Sequence, residues 1–261
     1  AGAVGAGRLG PDARLTGAAP PVRVSPVAAA SASSPAAPLT LAGGAARIPG
    51  GGAARVRVEK YTMRDGSRQF AVYVAGMQSM AFGGDDPWDN ESNVQLYRGE
   101  TSASYAATVE ALHAAGAGRG DVVHAFGFSQ GGMITAHLAL EGEFDVATLV
   151  SFGSPVEADA GAGTVSASIR HTDDPVAALA AGGQGGSVGA AGSFVAETSF
   201  DPATGVHDAT IPAHRLDAYV ETAARVADTG DPRVQALERS LAGLSEAVSV
   251  EATEYAATRG R

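Results

Sequence analysis

Gly127-Phe128-Ser129-Gln130-Gly131 is the stretch whose reading decides the fold. Before it runs Asp121-Val122-Val123-His124-Ala125-Phe126, short and apolar, which reads as a buried strand. After it runs Gly132-Met133-Ile134-Thr135-Ala136-His137-Leu138-Ala139-Leu140, which reads as a helix ending near Gly142. A G-x-S-x-G pattern is cheap in a chain with 35 glycines and gains meaning only between a strand and a helix. There it makes a tight turn in which positions 127 and 131 want no Cβ. Ser129 is then expected in a strained backbone conformation with its hydroxyl in the open. The N-terminus of the following helix favours negative charge beside it.

Outward from this turn the pattern alternates. Val56 and Val58, then Phe70, Val72 and Val74, flank Asp65-Gly66 and predict a β-hairpin whose second strand enters the core. Residues 76–100 read as a long loop carrying the single tryptophan, Trp88. Thr101 or Ser102 caps a predicted helix running to about Ala115. Further strands are expected over 146–152, 164–171 and 193–198, with a flexible glycine-rich loop at 181–192. Pro212 opens a helix that uses Leu216, Tyr219, Val220, Ala223 and Val226, and Pro232 opens another. Strands alternating with helices predict an α/β fold, a mostly parallel central sheet with helices on both faces. Ligands of such sheets bind at the carboxyl ends of the strands, where Ser129 falls.

Residues 1–54 differ from the rest. They are rich in Ala, Gly, Pro and Ser and poor in large apolar side chains. The expectation is an arm or linker, with one domain over 55–261. A linker implies a further region at its other end, and the start at Ala1 reads as a processed product, with a secreted or cell-envelope location favoured. A net charge of −10 argues against nonspecific nucleic-acid binding. The absence of cysteine excludes disulfides, thiolate metal sites and a cysteine nucleophile. No apolar run approaches the ~20 residues of a membrane span.

A serine hydroxyl needs a base within hydrogen-bond reach, and the base needs an acid to orient it. The chain offers both later on. Asp173 and Asp174 follow the strand over 164–171, and His207 and His214 lie between the last strand and the helix from Pro212. The order Ser, Asp, His is the one a strand-turn-helix nucleophile requires.

From about Arg55 to Asp228 the chain resembles the α/β-hydrolases, more narrowly the lipase/esterase-like serine hydrolases of actinobacteria. The residues that carry the resemblance are Val74-Ala75-Gly76-Met77, Gly127-Phe128-Ser129-Gln130-Gly131-Gly132, Phe152-Gly153-Ser154-Pro155, Asp174-Pro175-Val176 and His214 followed by Tyr219. It implies a catalytic triad of nucleophile Ser129, acid Asp174 and base His214, with Asp173 and His207 as alternatives. An oxyanion hole takes two N–H donors. Gln130, directly after the nucleophile, and Met77, in the loop after an early strand, are the expected pair. Relatives often carry Ser or Thr where this chain has Met77, and His where it has Phe128.

The expected activity is cleavage of a small-molecule or lipid-like carboxylic ester through an acyl-enzyme, without cofactor or metal. Two other readings remain: thioesterase, amidase or acyltransferase chemistry on the same triad, and a non-catalytic, secretion-associated binding module. Phe128, Trp88 and Phe82 are candidates to line the substrate site, Trp88 and Phe82 equally to pin their loop to the body. Asp85, Asp86, Asp89 and Glu91 match no standard cation loop and read as a solvated acidic cluster. His113, His124 and His137 read as packing or surface histidines, and His171, close to the acid, as a third choice of base.

Overall fold

A computed structural model of the protein describes residues 7–32, 39–181, 183, 188–200 and 211–260. Its strands are β1 (Arg8–Leu9), β2 (Val22–Ala32), β3 (Val56–Thr62), β4 (Arg68–Val74), β5 (Val122–Phe128), β6 (Asp145–Phe152), β7 (Glu157–Ala158), β8 (Val165–His171), β9 (Phe194–Thr198) and β10 (Ser249–Arg259). Its α-helices are α1 (Leu41–Arg47), α2 (Asn90–Tyr97), α3 (Ala103–Ala114), α4 (Gln130–Glu141), α5 (Leu216–Ala227) and α6 (Pro232–Ala242). Eight strands form one mixed sheet in the order β2-β10-β3-β4-β5-β6-β8-β9, and β1 pairs with β7 apart from it. From β4 to β9 the neighbours run parallel, while β3, β10 and β2 extend the sheet antiparallel. The protein is therefore of the α/β class.

Strand pleating distributes the apolar side chains to two cores. In β4, Phe70, Val72 and Val74 join α2, α3 and α4 on one face. Ala71 and Tyr73 join α1, α5 and α6 on the other. The parallel strands end at Val74, Phe128, Phe152, His171 and Thr198, so the loops that follow them gather at one edge of the sheet.

The described parts of residues 1–54, 7–32 and 39–54, pack onto the sheet and the core. β2 is an eleven-residue edge strand hydrogen-bonded to β10, and α1 buries Leu41 and Ala45 in the second core. The small residues that suggested an arm or linker are the means of close packing. A Cβ on Gly44 would come within 2.6 Å of the Phe126 ring. Pro26 sits on the sheet's edge strand beside a register shift, the place a strand tolerates a residue without N–H. Residues 249–259, near the end of the chain, also belong to the sheet as β10. β10 was not expected because its middle, Glu251-Ala252-Thr253-Glu254, carries no large apolar side chain to mark a period of two. Within the long 76–100 loop Asp89 caps α2, accepting from the Ser92 N–H at 3.0 Å.

A buried carboxylate fixes α1 to the sheet. Glu59 of β3 accepts from the Tyr61 hydroxyl at 2.5 Å, the Tyr73 hydroxyl at 2.9 Å, Arg57 at 2.7 Å and Arg47 of α1 at 3.2 Å. Burial alone would push this carboxyl up. The Tyr61 hydroxyl and the two guanidinium groups outweigh burial and hold it below the usual carboxylate range. Glu59→Leu is expected to cost about 3 kcal/mol, because it leaves the partly buried Arg47 and two hydroxyls without their carboxylate and Arg57 with Glu254 alone. Urea unfolding at pH 7 measures this, and an unchanged midpoint would contradict it.

Candidate active site

Ser129 sits between β5 and α4 with φ 52° and ψ −118°, a conformation that costs a non-glycine residue on the order of 1–3 kcal/mol. Its surroundings enforce the turn. A Cβ on Gly127 would run into the Gly131 carbonyl, and one on Gly131 into the Val74 carbonyl. The Ser129 N–H donates to the Phe152 carbonyl at 2.9 Å, tying the turn to the end of β6. The residue is less open than expected, keeping 8% of its surface.

His214 closes over it. Its Nε2 lies 2.8 Å from Ser129 Oγ, and its Nδ1 lies 2.7 Å from Asp174 Oδ2. An ionised carboxylate only accepts, so Nδ1 carries the proton and Nε2 is left to accept from the serine hydroxyl. Asp174 is fully buried and well supplied with donors. Oδ1 accepts from the Val176 N–H at 2.8 Å and the Ala177 N–H at 3.4 Å. Oδ2 accepts from the Tyr219 hydroxyl at 2.7 Å besides His214. Burial and the Asp174 charge push the Tyr219 hydroxyl far above its ordinary range, so it stays a donor to Asp174.

A strand-helix turn, the loop after β8 and a short 3-10 turn bring these groups together. Asp174 follows β8 by three residues. His214 ends a 3-10 turn that Pro212 opens, just before α5. The Phe128 ring stacks on His214 with centroids 5.0 Å apart and tilts against Tyr219 at 5.8 Å. Phe128 thus forms a wall beside His214. Gly76 is pressed against this wall: a Cβ there would come 2.8 Å from the Phe128 ring and 3.3 Å from Ser129 Cβ. Met77, which follows, is partly exposed at the start of the loop over the serine. The Gln130 N–H heads α4 and, as the first of the helix, has no acceptor within it. The Gln130 side chain is buried and donates to the Asp89 carbonyl at 2.9 Å, joining the turn to the 76–89 segment.

The remaining expectations fall differently. Asp173 accepts from the Phe200 N–H at 3.1 Å and the Ser199 hydroxyl at 3.3 Å, so it fastens the end of β9 rather than orienting His214. His207 lies outside the described residues, as do 182 and 184–187 of the glycine-rich loop. Trp88 lines no mouth. It is fully buried, its indole N–H donates to the Ala75 carbonyl at 3.0 Å, and its own carbonyl accepts from the Gln78 and Ser79 N–H groups. The tryptophan pins the loop to the core because its ring has more area to bury than the loop's polar residues can offset. Phe82 stays 70% exposed on the same loop.

The acidic cluster is solvated in part: Asp85 is exposed and Glu91 half-exposed, while Asp89 is buried. Asp86 pairs with Arg55 at 2.7 Å, and Arg259 at the end of β10 pairs with both Asp89 and Glu91. Among the described residues no group of His, Cys, Asp and Glu is placed to hold a metal ion. Nor is any helix among them long and apolar enough to cross a membrane. His113 meets Glu143 at the surface, and His124 and His137 are buried in the interior. His171 is buried against Tyr219, and no spacing in the sequence signalled that contact. Compared with known proteins, the chain matches no family model, no curated protein and no solved structure.

Proposed function

We propose that this protein is a serine hydrolase of the α/β-hydrolase type that cleaves carboxylic esters through an acyl-enzyme. One observation carries the reading: a serine at positive φ on a strand-turn-helix junction, hydrogen-bonded in series to a histidine and a buried carboxylate. A structural serine gains nothing from a conformation that L-residues avoid. A nucleophile gains an approach free of its own backbone and the positive end of α4 beside it. The chain order is in keeping with the reading, since the acid follows β8 and the base comes after β9.

In this mechanism Ser129 Oγ attacks the ester carbonyl carbon while its proton passes to His214 Nε2. Asp174 keeps its charge and stabilises the imidazolium that forms. The N–H groups of Gln130 and Met77 hold the oxyanion. The bond to the alkoxy oxygen then breaks, and His214 returns the proton to that oxygen as the alcohol leaves. Water attacks the acyl-serine in turn, gives a proton to Nε2, and the carboxylic acid departs as Oγ regains its proton. Met77 brings a backbone donor without a hydroxyl, so the hole rests on two N–H groups.

A series of p-nitrophenyl esters from acetate to laurate tests the activity. Saturable hydrolysis of at least one chain length is expected, and no turnover of any of them above the uncatalysed rate would contradict the reading. Tyr219→Phe removes one of the four donors to Asp174 while keeping the ring. It is expected to lower kcat about tenfold at unchanged KM, as loss of a hydrogen bond to a charged group would. An unchanged kcat would mean that the hydroxyl does not support the acid.

A further inference from the structure

His171 lies outside the serine-histidine-aspartate series, yet it is the residue that joins the strand bearing the acid to the turn bearing the base. It closes β8, three residues before Asp174, and is 2% exposed. Its Nδ1 lies 2.7 Å from the carbonyl of Ala213, the residue directly before His214. Its Nε2 lies 2.8 Å from the Thr222 hydroxyl on α5, and its backbone N–H donates to the Tyr219 hydroxyl at 3.2 Å. The ring lies flat on Tyr219, with centroids 4.0 Å apart and planes 9° apart, and Phe200 stacks on the ring at 5.2 Å.

The partners set the tautomer. A carbonyl only accepts, so Nδ1 carries the proton, and Nε2 accepts from Thr222. Thr222 also accepts from Arg225 at 3.2 Å, which leaves its own hydrogen for the imidazole. One ring therefore fixes three things at once: the carbonyl one residue ahead of His214, the helix that follows it, and the face of the tyrosine that donates to Asp174. A packing residue would need only the stack. The two ring hydrogen bonds point specifically to the segment on either side of the base.

We propose that His171 is a positioning residue for the Ser129–His214 contact, holding Ala213 and α5 so that His214 Nε2 stays in line with Ser129 Oγ. The inference rests on the hydrolase reading above. Misplacing a base by about an ångström costs on the order of 100-fold in rate.

The test compares substitutions by kcat per active site, the sites being counted by titration to completion with a fluorophosphonate. His171→Phe keeps the stack and removes both ring hydrogen bonds. It is expected to lower kcat per titrated site about 10- to 100-fold with KM within about twofold. His171→Asn places an amide N–H where Nδ1 stands and restores the bond to Ala213, so it is expected to recover most of the loss. His171→Gln places its amide where Nε2 stands and is expected to stay several-fold slower than Asn. If the Phe variant does not fold, the Asn and Gln pair decides alone. A purely structural role would change the number of titratable sites or the melting temperature and leave kcat per site alone. Wild-type kcat per site in His171→Phe, or equal rates for Asn and Gln, overturns the inference while the hydrolase reading stands. A wild-type protein that neither titrates nor turns over any ester overturns both.

Discussion

Ser129→Ala is expected to keep the fold and lose ester cleavage by about 10⁵- to 10⁶-fold. The side-chain oxygen makes one hydrogen bond, to His214, and the turn itself is held by backbone groups. The Ser129 N–H bond to Phe152 and the close approach of Gly127 to Gly131 do not involve Oγ. Alanine retains the Cβ and therefore the strain at φ 52°. Ser129→Gly removes that strain as well and is expected to be more stable than the alanine variant by about 1 kcal/mol. The pair separates strain from chemistry. Both variants should be inactive, and their melting temperatures should differ. Ester turnover in Ser129→Ala near the wild-type rate would remove the serine from the mechanism.

Acid is expected to unfold this protein through two buried histidines. His124 on β5 and His137 on α4 are 4% and 1% exposed, and burial pushes each imidazole down to about 4. His124 meets Thr148 at 3.0 Å and Gln69 at 3.1 Å, so its neutral ring is satisfied. Among the described residues neither ring nitrogen of His137 has a partner of good hydrogen-bond geometry, and the nearby Leu96 carbonyl only partly offsets burial.

The sign follows from proton counting. Below about 6.5 the unfolded chain takes up protons that the folded chain refuses, so stability falls with pH until the folded rings titrate near 4. Each ring then contributes a loss of about 3 kcal/mol over that window. Together they consume a large part of a typical 5–15 kcal/mol of stability. The urea midpoint is expected to drop steeply between pH 6.5 and 4, and His137→Leu should remove about half of that slope. A midpoint that stays level across this window would contradict the assignment.

What was legible in the chain was what local pattern encodes. The turn at 127–131 requires two glycines and a serine between an apolar run and a helix, and each requirement shows within fifteen residues. The meeting of Ser129, Asp174 and His214 follows from the ends of parallel strands gathering at one edge. What escaped has a common cause. β2, α1 and β10 are built largely from Ala, Gly, Thr and Ser, and they join the core mainly by backbone pairing and close approach, with few large apolar side chains. Hydrophobic periodicity is blind to both. Trp88 was left between two roles, and His171 was read only as a third choice of base, for another reason: each is defined by a partner far off in sequence, Ala75 and Tyr219 respectively.

The central claim is that Ser129 is a nucleophile activated by His214. Its most direct measurement is the mass of the intact protein after exposure to a fluorophosphonate, with the adduct then located by peptide mapping. One adduct per chain is expected, on the peptide containing Ser129. It should be absent in Ser129→Ala and formed at least 1,000-fold more slowly in His214→Ala, a loss on the order of that from removing a triad base. No adduct, or one on another serine, would contradict the account.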